Sequence, residues 1–308
     1  MILDEVSSDA FRARLRDGGV RWRVGPFGLR VATRMEKLAG ALHFLYGDFP
    51  LLEDGEPAEF RIAMKTPIGW RRWWRRQVIF HFDDARPFEP FPFRLAFPFF
   101  EWGLNWCVYE HAHEFLIVHA AVVERGGRAL LMPAVPGSGK STLCAGLVHR
   151  GWRLLSDELA LIRHVDGSVV PIPRPVGLKE ESIDIIRAFA PEARLGPLFT
   201  ETRKGTVAHL RPPADAVRRM DEAALPAWIV FPTYQAGAGL QVTPLEKAAA
   251  FIRTSNDSFN YKLLGETGFT TLADLIDRCA SYELTHSSLD AAIGAIDELV
   301  AAAPGEVN

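Results

Sequence analysis

Seven consecutive residues, Pro136-Gly137-Ser138-Gly139-Lys140-Ser141-Thr142, have the types and spacing to do chemistry on a phosphate. They lie between an apolar run, Arg128 to Met132, and a helical pattern, Leu143 to Arg150. A loop of this composition turns backbone N–H groups inward on a polyphosphate and adds a lysine for the β/γ oxygens. Its hydroxyl, here that of Ser141, serves the accompanying Mg²⁺. The helix that follows aims the positive end of its dipole at the same anion. The usual Walker A pattern begins with glycine six positions before the lysine, where this chain has Ala134. Gly137, Gly139, Lys140 and Ser141 keep the positions that touch phosphate. Strand, loop and helix in that order are the context the motif requires, so a nucleotide-binding segment is expected here.

Phosphoryl transfer asks the protein for a metal, a lysine and a carboxylate that positions or deprotonates the acceptor hydroxyl. Asp157-Glu158 is the obvious source of the carboxylate. The pair follows the strand after the loop helix, at the carboxyl end where open α/β sheets bind ligands. Side chains alternate along a strand, so both acids can face a phosphate only if the chain has already left it. One of the two is expected to bind Mg²⁺ or its water and the other to act as base.

The elements that must hold these groups alternate in the second half of the chain. Phe115 to Val123, Arg128 to Met132 and Trp152 to Ser156 read as strands, and the loop helix ends on Arg150-Gly151, a basic turn followed by a capping glycine. Val165 to Val169 reads as a hairpin turn. Helix starts are predicted from Thr243-Pro244-x-Glu246, Thr271-x-x-Asp274 and Ser287 or Ser288. Upstream, Val20–Val24 and Leu29–Thr33 flank Gly25-Pro26-Phe27-Gly28 as a hairpin, and Met35, Leu38, Leu42 and Leu45 fall at helical spacing. Phe60 to Met64 and Gln77 to Phe82 read as strands. Pro87 to Pro98, dense in Pro and Phe, reads as an extended segment near a boundary, followed by a buried helix over Leu95 to His113.

Composition narrows the partners. A net charge of −3 in 308 residues removes the basic excess that marks nucleic-acid binders. Three scattered cysteines, Cys107, Cys144 and Cys279, suit a reducing compartment rather than a disulfide framework. No secretory signal is visible, and no apolar run approaches the ~20 residues that cross a bilayer. A cytoplasmic protein with neither membrane nor nucleic-acid partner is expected.

His119-Ala120-Ala121-Val122-Val123, the loop, and Arg150 to Glu158 together resemble the catalytic domain of HPr kinase/phosphorylase in the order and spacing of histidine, lysine and acidic pair. Trp102-Gly103-Leu104-Asn105-Trp106, Pro173-Arg174-Pro175-Val176, Thr202 to Val207 and Phe259-Asn260-Tyr261 resemble, more closely, the HPr-related kinase A group. The broad resemblance covers about residues 115 to 165 and the closer one nearly the whole chain. It implies an α/β fold, with a P-loop nucleotide-binding core of the phosphoenolpyruvate-carboxykinase/HPr-kinase type over residues 95–308. A β-rich accessory region would occupy residues 1–94. It also implies ATP- and Mg²⁺-dependent phosphorylation of a serine hydroxyl in a protein or peptide, and it is compatible with a homo-oligomer. By matching positions, Lys140 would hold the β/γ-phosphates, Ser141 the metal, Glu158 the acceptor proton, and His119 would be the active-site histidine; of the acidic pair, Asp157 is then expected to bind the metal. The chain departs from the family at Glu158, Ala134 and Thr142, where the family has aspartate, glycine and glutamate.

Other residues carry weaker signals. Arg174, Arg203 and Lys204 could add positive charge for transition state or substrate, Gly205 letting the backbone approach a ligand. His111, His113 and His119 lack the framing of a metal trio. Arg71-Arg72-Trp73-Trp74-Arg75-Arg76 reads as a solvated turn, with docking of an anionic peptide as the lesser reading. Transfer to a small molecule, such as free serine or a sugar, and ATP sensing without transfer are the alternative functions.

Overall fold

The computed structural model describes residues 1–53, 55–67, 76–135, 137–203 and 205–302. Pro136, Lys204 and Arg71 to Arg75 of the basic-aromatic run lie outside these. The protein is mixed α/β, and it divides into two compact units: 1–113 with 170–183 and 193–222, and 114–169 with 184–192 and 223–308.

The chain opens with α1 (Ser8–Asp17), β1 (Val20–Val24), β2 (Phe27–Thr33), α2 (Glu36–Leu45), β3 (Phe60–Lys65), β4 (Gln77–Phe82), β5 (Phe91–Pro92) and α3 (Ala96–His111). It continues through β6 (Phe115–Val118), β7 (Ala120–Arg125), β8 (Arg128–Pro133), α4 (Lys140–His149), β9 (Arg153–Ser156), β10 (Ala160–Arg163) and β11 (Val169–Val170). Next come β12 (Val176–Lys179), α5 (Glu181–Phe189), β13 (Phe199–Thr202), β14 (Gly205–Leu210) and α6 (Ala214–Arg218). The last stretch holds β15 (Leu225–Tyr234), β16 (Gln241–Pro244), α7 (Lys247–Asn256), α8 (Tyr261–Arg278), β17 (Ala280–His286) and α9 (Leu289–Ala302).

In the first unit, β1 to β5 form one sheet in sequence order, and β12-β14-β13 form another. The predicted hairpin is β1 against β2, with Val24 opposite Phe27. α2 connects β2 to its parallel neighbour β3. The core is aromatic: Trp22, Tyr46, Phe49, Phe80, Phe97, Phe99 and Phe100 are all buried. α3 belongs to this unit and tolerates Gly103 for a steric reason. A Cβ there would come within 2.2 Å of the Phe80 ring, so glycine lets strand and helix close on each other. Pro98 falls in the first turn of α3, where a missing N–H interrupts no helical bond. Part of the expected extended segment before it is an edge strand, β5, paired to β4.

In the second unit, six strands run in the order β16-β17-β15-β8-β7-β9, and β11-β10-β6 form a smaller sheet. β8, β15 and β17 are parallel, while β7 and β16 run against them. Leu116, Val118, Val122, Leu131, Ile162, Phe231, Leu272 and Ile276 share one buried cluster beneath.

Three expectations are corrected here. The single strand over Phe115 to Val123 breaks at His119: β6 pairs with β10, β7 pairs with β8 and β9, and the His119 N–H donates outside both sheets to the Asp257 carbonyl at 2.7 Å. Thr243-Pro244 does not open a helix, because Gln241–Pro244 completes the sheet edge against β17, a place where proline is tolerated. α7 starts after Glu246. Thr271 lies inside α8, whose first residue is Tyr261, and its hydroxyl donates back one turn to the Thr267 carbonyl at 2.8 Å.

Candidate functional site

Strand direction brings the chemistry-bearing residues to one edge of the six-stranded sheet. β8 runs out into the loop, and antiparallel β7 places Ala120 opposite Pro133, so His119 stands beside the start of that loop. β9 is antiparallel to β7 in turn, with Ser156 opposite Val122, so it delivers Asp157 and Glu158 to the same edge. The strand does end at Ser156. Its hydroxyl accepts from the Leu159 N–H at 3.0 Å, closing the turn that carries the two acids.

The loop is built on backbone that only glycine adopts readily. Gly137 has φ +94° and Gly139 φ +87°, both in the left-handed region. The end of β15 fixes the loop from one side, the Tyr234 N–H donating to the Ser138 carbonyl at 2.9 Å. A Cβ on Gly139 would also stand 3.0 Å from the Tyr234 Cβ. Gly139 caps α4 and its carbonyl accepts from Leu143 at 2.9 Å, so the N–H groups of Lys140, Ser141 and Thr142 have no acceptor within the helix. Ser138 Oγ is enclosed and has no hydrogen-bond partner among the described residues.

Lys140, only 7% exposed, places Nζ 2.9 Å from His119 Nε2, and the same nitrogen lies 3.0 Å from Glu158 Oε2. One imidazole nitrogen carries either a proton or a lone pair. It accepts from Lys140 or donates to Glu158, and cannot do both at once. Asp157 is buried and, after burial itself, is the next influence holding the Cys144 thiol of α4 in its protonated form.

Spacing alone could not single out Asp257, which the fold adds to the group. Burial raises its carboxyl pKa, while the charges of His119, Lys140 and Arg253 pull it back down. Asp257 also borders a cleft of about 480 Å³, walled by the first half of the loop, the end of β15 and Arg253. Asn260, whose role spacing does not give, anchors the neighbouring backbone. Its Oδ1 accepts from the Ile117 N–H at 2.9 Å and its Nδ2 donates to the Phe115 carbonyl at 2.8 Å, so one side chain completes the outer edge of β6. Phe259 packs on the His119 ring with centroids 5.8 Å apart.

The remaining predicted residues lie in the first unit. Arg174 is buried, bonded to Asn105 and 3.6 Å from Glu101, which accepts from the Tyr46 hydroxyl at 2.6 Å. Those contacts give Arg174 a place in a buried polar cluster. Arg203 is exposed on the turn between β13 and β14, where the Thr202 hydroxyl donates to the Gly205 carbonyl at 2.6 Å. His111 stacks on Phe82 at 4.8 Å. Among the described residues, no three His, Cys, Asp or Glu side chains gather as a metal-binding group, and no helix is long and apolar enough to cross a membrane. Scanned against protein-family models the chain finds no match, and a search of curated proteins likewise finds none.

Proposed function

We propose that the chain is an ATP- and Mg²⁺-dependent kinase of the HPr-kinase type, with a P-loop core, that transfers the γ-phosphate to the hydroxyl of a serine in a protein or peptide. The observation that carries this reading is the shared His119 nitrogen, within hydrogen-bond distance of both the loop lysine and Glu158. Two groups that a phosphoryl transfer needs, a cation for the phosphates and a carboxylate for the acceptor, stand at one end of the sheet with His119 between them.

The residues present suit the proposed ligands. Ser138 Oγ, enclosed without a partner, is a donor that a phosphate oxygen satisfies, and an unmet buried hydroxyl otherwise costs about 1–3 kcal/mol. Mg²⁺ keeps most of its waters and takes one or two protein oxygens. Ser141 and Asp157 would provide them, and the ion would supply charge neutralisation at the phosphates. Lys140 turns its ammonium from His119 to the β/γ oxygens, and the imidazole, exchanging its proton through solvent from Nδ1 to Nε2, then donates to Glu158. Glu158 takes the proton of the acceptor hydroxyl as its oxygen bonds to the γ-phosphorus, and the bond from that phosphorus to the β-bridging oxygen breaks to release ADP.

Incubation of the purified chain with γ-labelled ATP, Mg²⁺ and a lysate or peptide pool, followed by mass spectrometry, tests the reading. Label on a polypeptide serine is expected. Label on free serine or a sugar would replace it with the small-molecule alternative, and saturable ATP binding with no acceptor labelled would favour a sensor.

A further inference from the structure

The first unit holds a groove that the site above does not use. Two cavities of about 760 and 770 Å³ lie side by side there, with Met35, Glu36, Lys37, Arg76 and Phe93 lining both. Among the described residues, seven cationic side chains line the groove against one carboxylate, Glu36, in a chain whose net charge is −3. Arg12 and Arg16 are spoken for by Glu36, at 3.5 and 3.4 Å, and Arg94 by Glu201 at 2.5 Å. Arg34, Lys37, Lys65 and Arg76 pair with no carboxylate among the described residues, and all four are exposed. Their field reaches inward as well: after burial, Lys65 is the next influence lowering the proton affinity of His81 on β4.

Such a row of cations repels itself in the free protein, which favours an anionic occupant. We propose that this groove binds an acidic, extended peptide segment of a partner protein, glutamates or aspartates meeting Arg34, Lys37, Lys65 and Arg76 while apolar side chains settle on the exposed Pro197 and Leu198. Two contiguous cavities of this size exceed what a single small anion fills. A nucleic acid suits it less. Single strands bind through exposed aromatic faces, and the Phe93 face is already covered by the Arg76 guanidinium, 3.9 Å from the ring centroid. An extended peptide alternates its side chains, so one face reads the apolar floor and the other the basic rim. The inference stands independently of the kinase reading.

The test is fluorescence anisotropy of the full chain with a labelled synthetic peptide of glutamates interspersed with leucines. Saturable binding is expected, weakening as added salt shortens the screening length, and weakening about tenfold or more in the R34E/K37E/K65E variant. A control, R61E/R86E/K262E, changes net charge equally at exposed positions outside the groove and should bind as the parent does. Because the groove variant could fail to fold, amine labelling of the unaltered protein gives a second reading: the peptide should shield Lys37 and Lys65 but not Lys262. Absent binding, equal loss in both variants, unshielded lysines, or displacement by a single-stranded oligonucleotide of matched charge at lower concentration would each overturn the proposal.

Discussion

His119 Nε2 offers one proton or one lone pair to two claimants, so the proposed chemistry turns on which of them holds it. Glu158→Gln keeps the size of the side chain but removes a base. Turnover should fall by about 10²-fold or more while ATP affinity, read by calorimetry, stays within about twofold, because the substitution leaves the loop untouched. Asp257 makes a different test, through stability. Its folded carboxyl holds a proton more tightly than the unfolded one, so the folded state binds more protons between 3.8 and the raised value. Its contribution is therefore fully present below 3.8 and lost as pH rises through the raised value, which leaves a half-buried charge carried at a cost under neutral conditions. Asp257→Asn should melt higher than the parent near neutrality, with the gain shrinking as the pH is lowered toward 3.8. His286 has the opposite sign. Burial lowers its proton affinity below the usual 6.5, so its contribution is complete above 6.5 and erodes as pH falls through that value, since only the unfolded chain protonates there. Relative to the parent, His286→Asn should gain melting temperature as pH falls below 6.5, whereas Asp257→Asn gains as pH rises; parallel shifts would show that burial is not the cause.

At the scale of elements, the strands around the loop were legible because their patterns are locally self-sufficient. β8 is an apolar run bounded by glycine and the loop, and α4 is announced by its capping glycine. Lys140, Asp157 and Glu158 could be named because each is a few residues from such a boundary. The break at His119 was not legible, since Phe115 to Val123 is apolar throughout and periodicity cannot show which sheet each half joins. The roles of Asp257 and Asn260 were hidden for the same reason: they arise from a segment far along the chain lying against β6. Thr243-Pro244 misled because a capping box and an edge strand with proline share their residues, and only pairing to β17 separates them. Asn260→Ala measures this long-range dependence. It strands the Ile117 N–H and the Phe115 carbonyl in the interior, and should cost roughly 2–4 kcal/mol in urea denaturation. Asn260→Asp should not rescue it, because a carboxylate cannot donate to the Phe115 carbonyl.

For the whole molecule, the three cysteines report on how its cores hold together. Each is buried, and burial pushes the Cys279 thiol up to about 12 and those of Cys107 and Cys144 well above their ordinary value. A thiol in that state is a poor nucleophile, so none should alkylate in the native protein even in mildly alkaline solution. Cys144 lies on the helix behind the loop, and Cys279 is in the buried cluster beneath the six-stranded sheet. These two sites sit on opposite sides of the chain's return through the first unit, in sequence, yet they share one compact unit. If that unit unfolds as one cooperative body, Cys144 and Cys279 should become reactive at a single denaturant midpoint when iodoacetamide labelling is followed by peptide mass spectrometry. Saturating ATP with Mg²⁺ should move both midpoints upward by the same amount, since a ligand held only by the folded unit stabilises everything that unfolds with it. A shift confined to Cys144 would mean that the loop and its helix open as a local unit of their own.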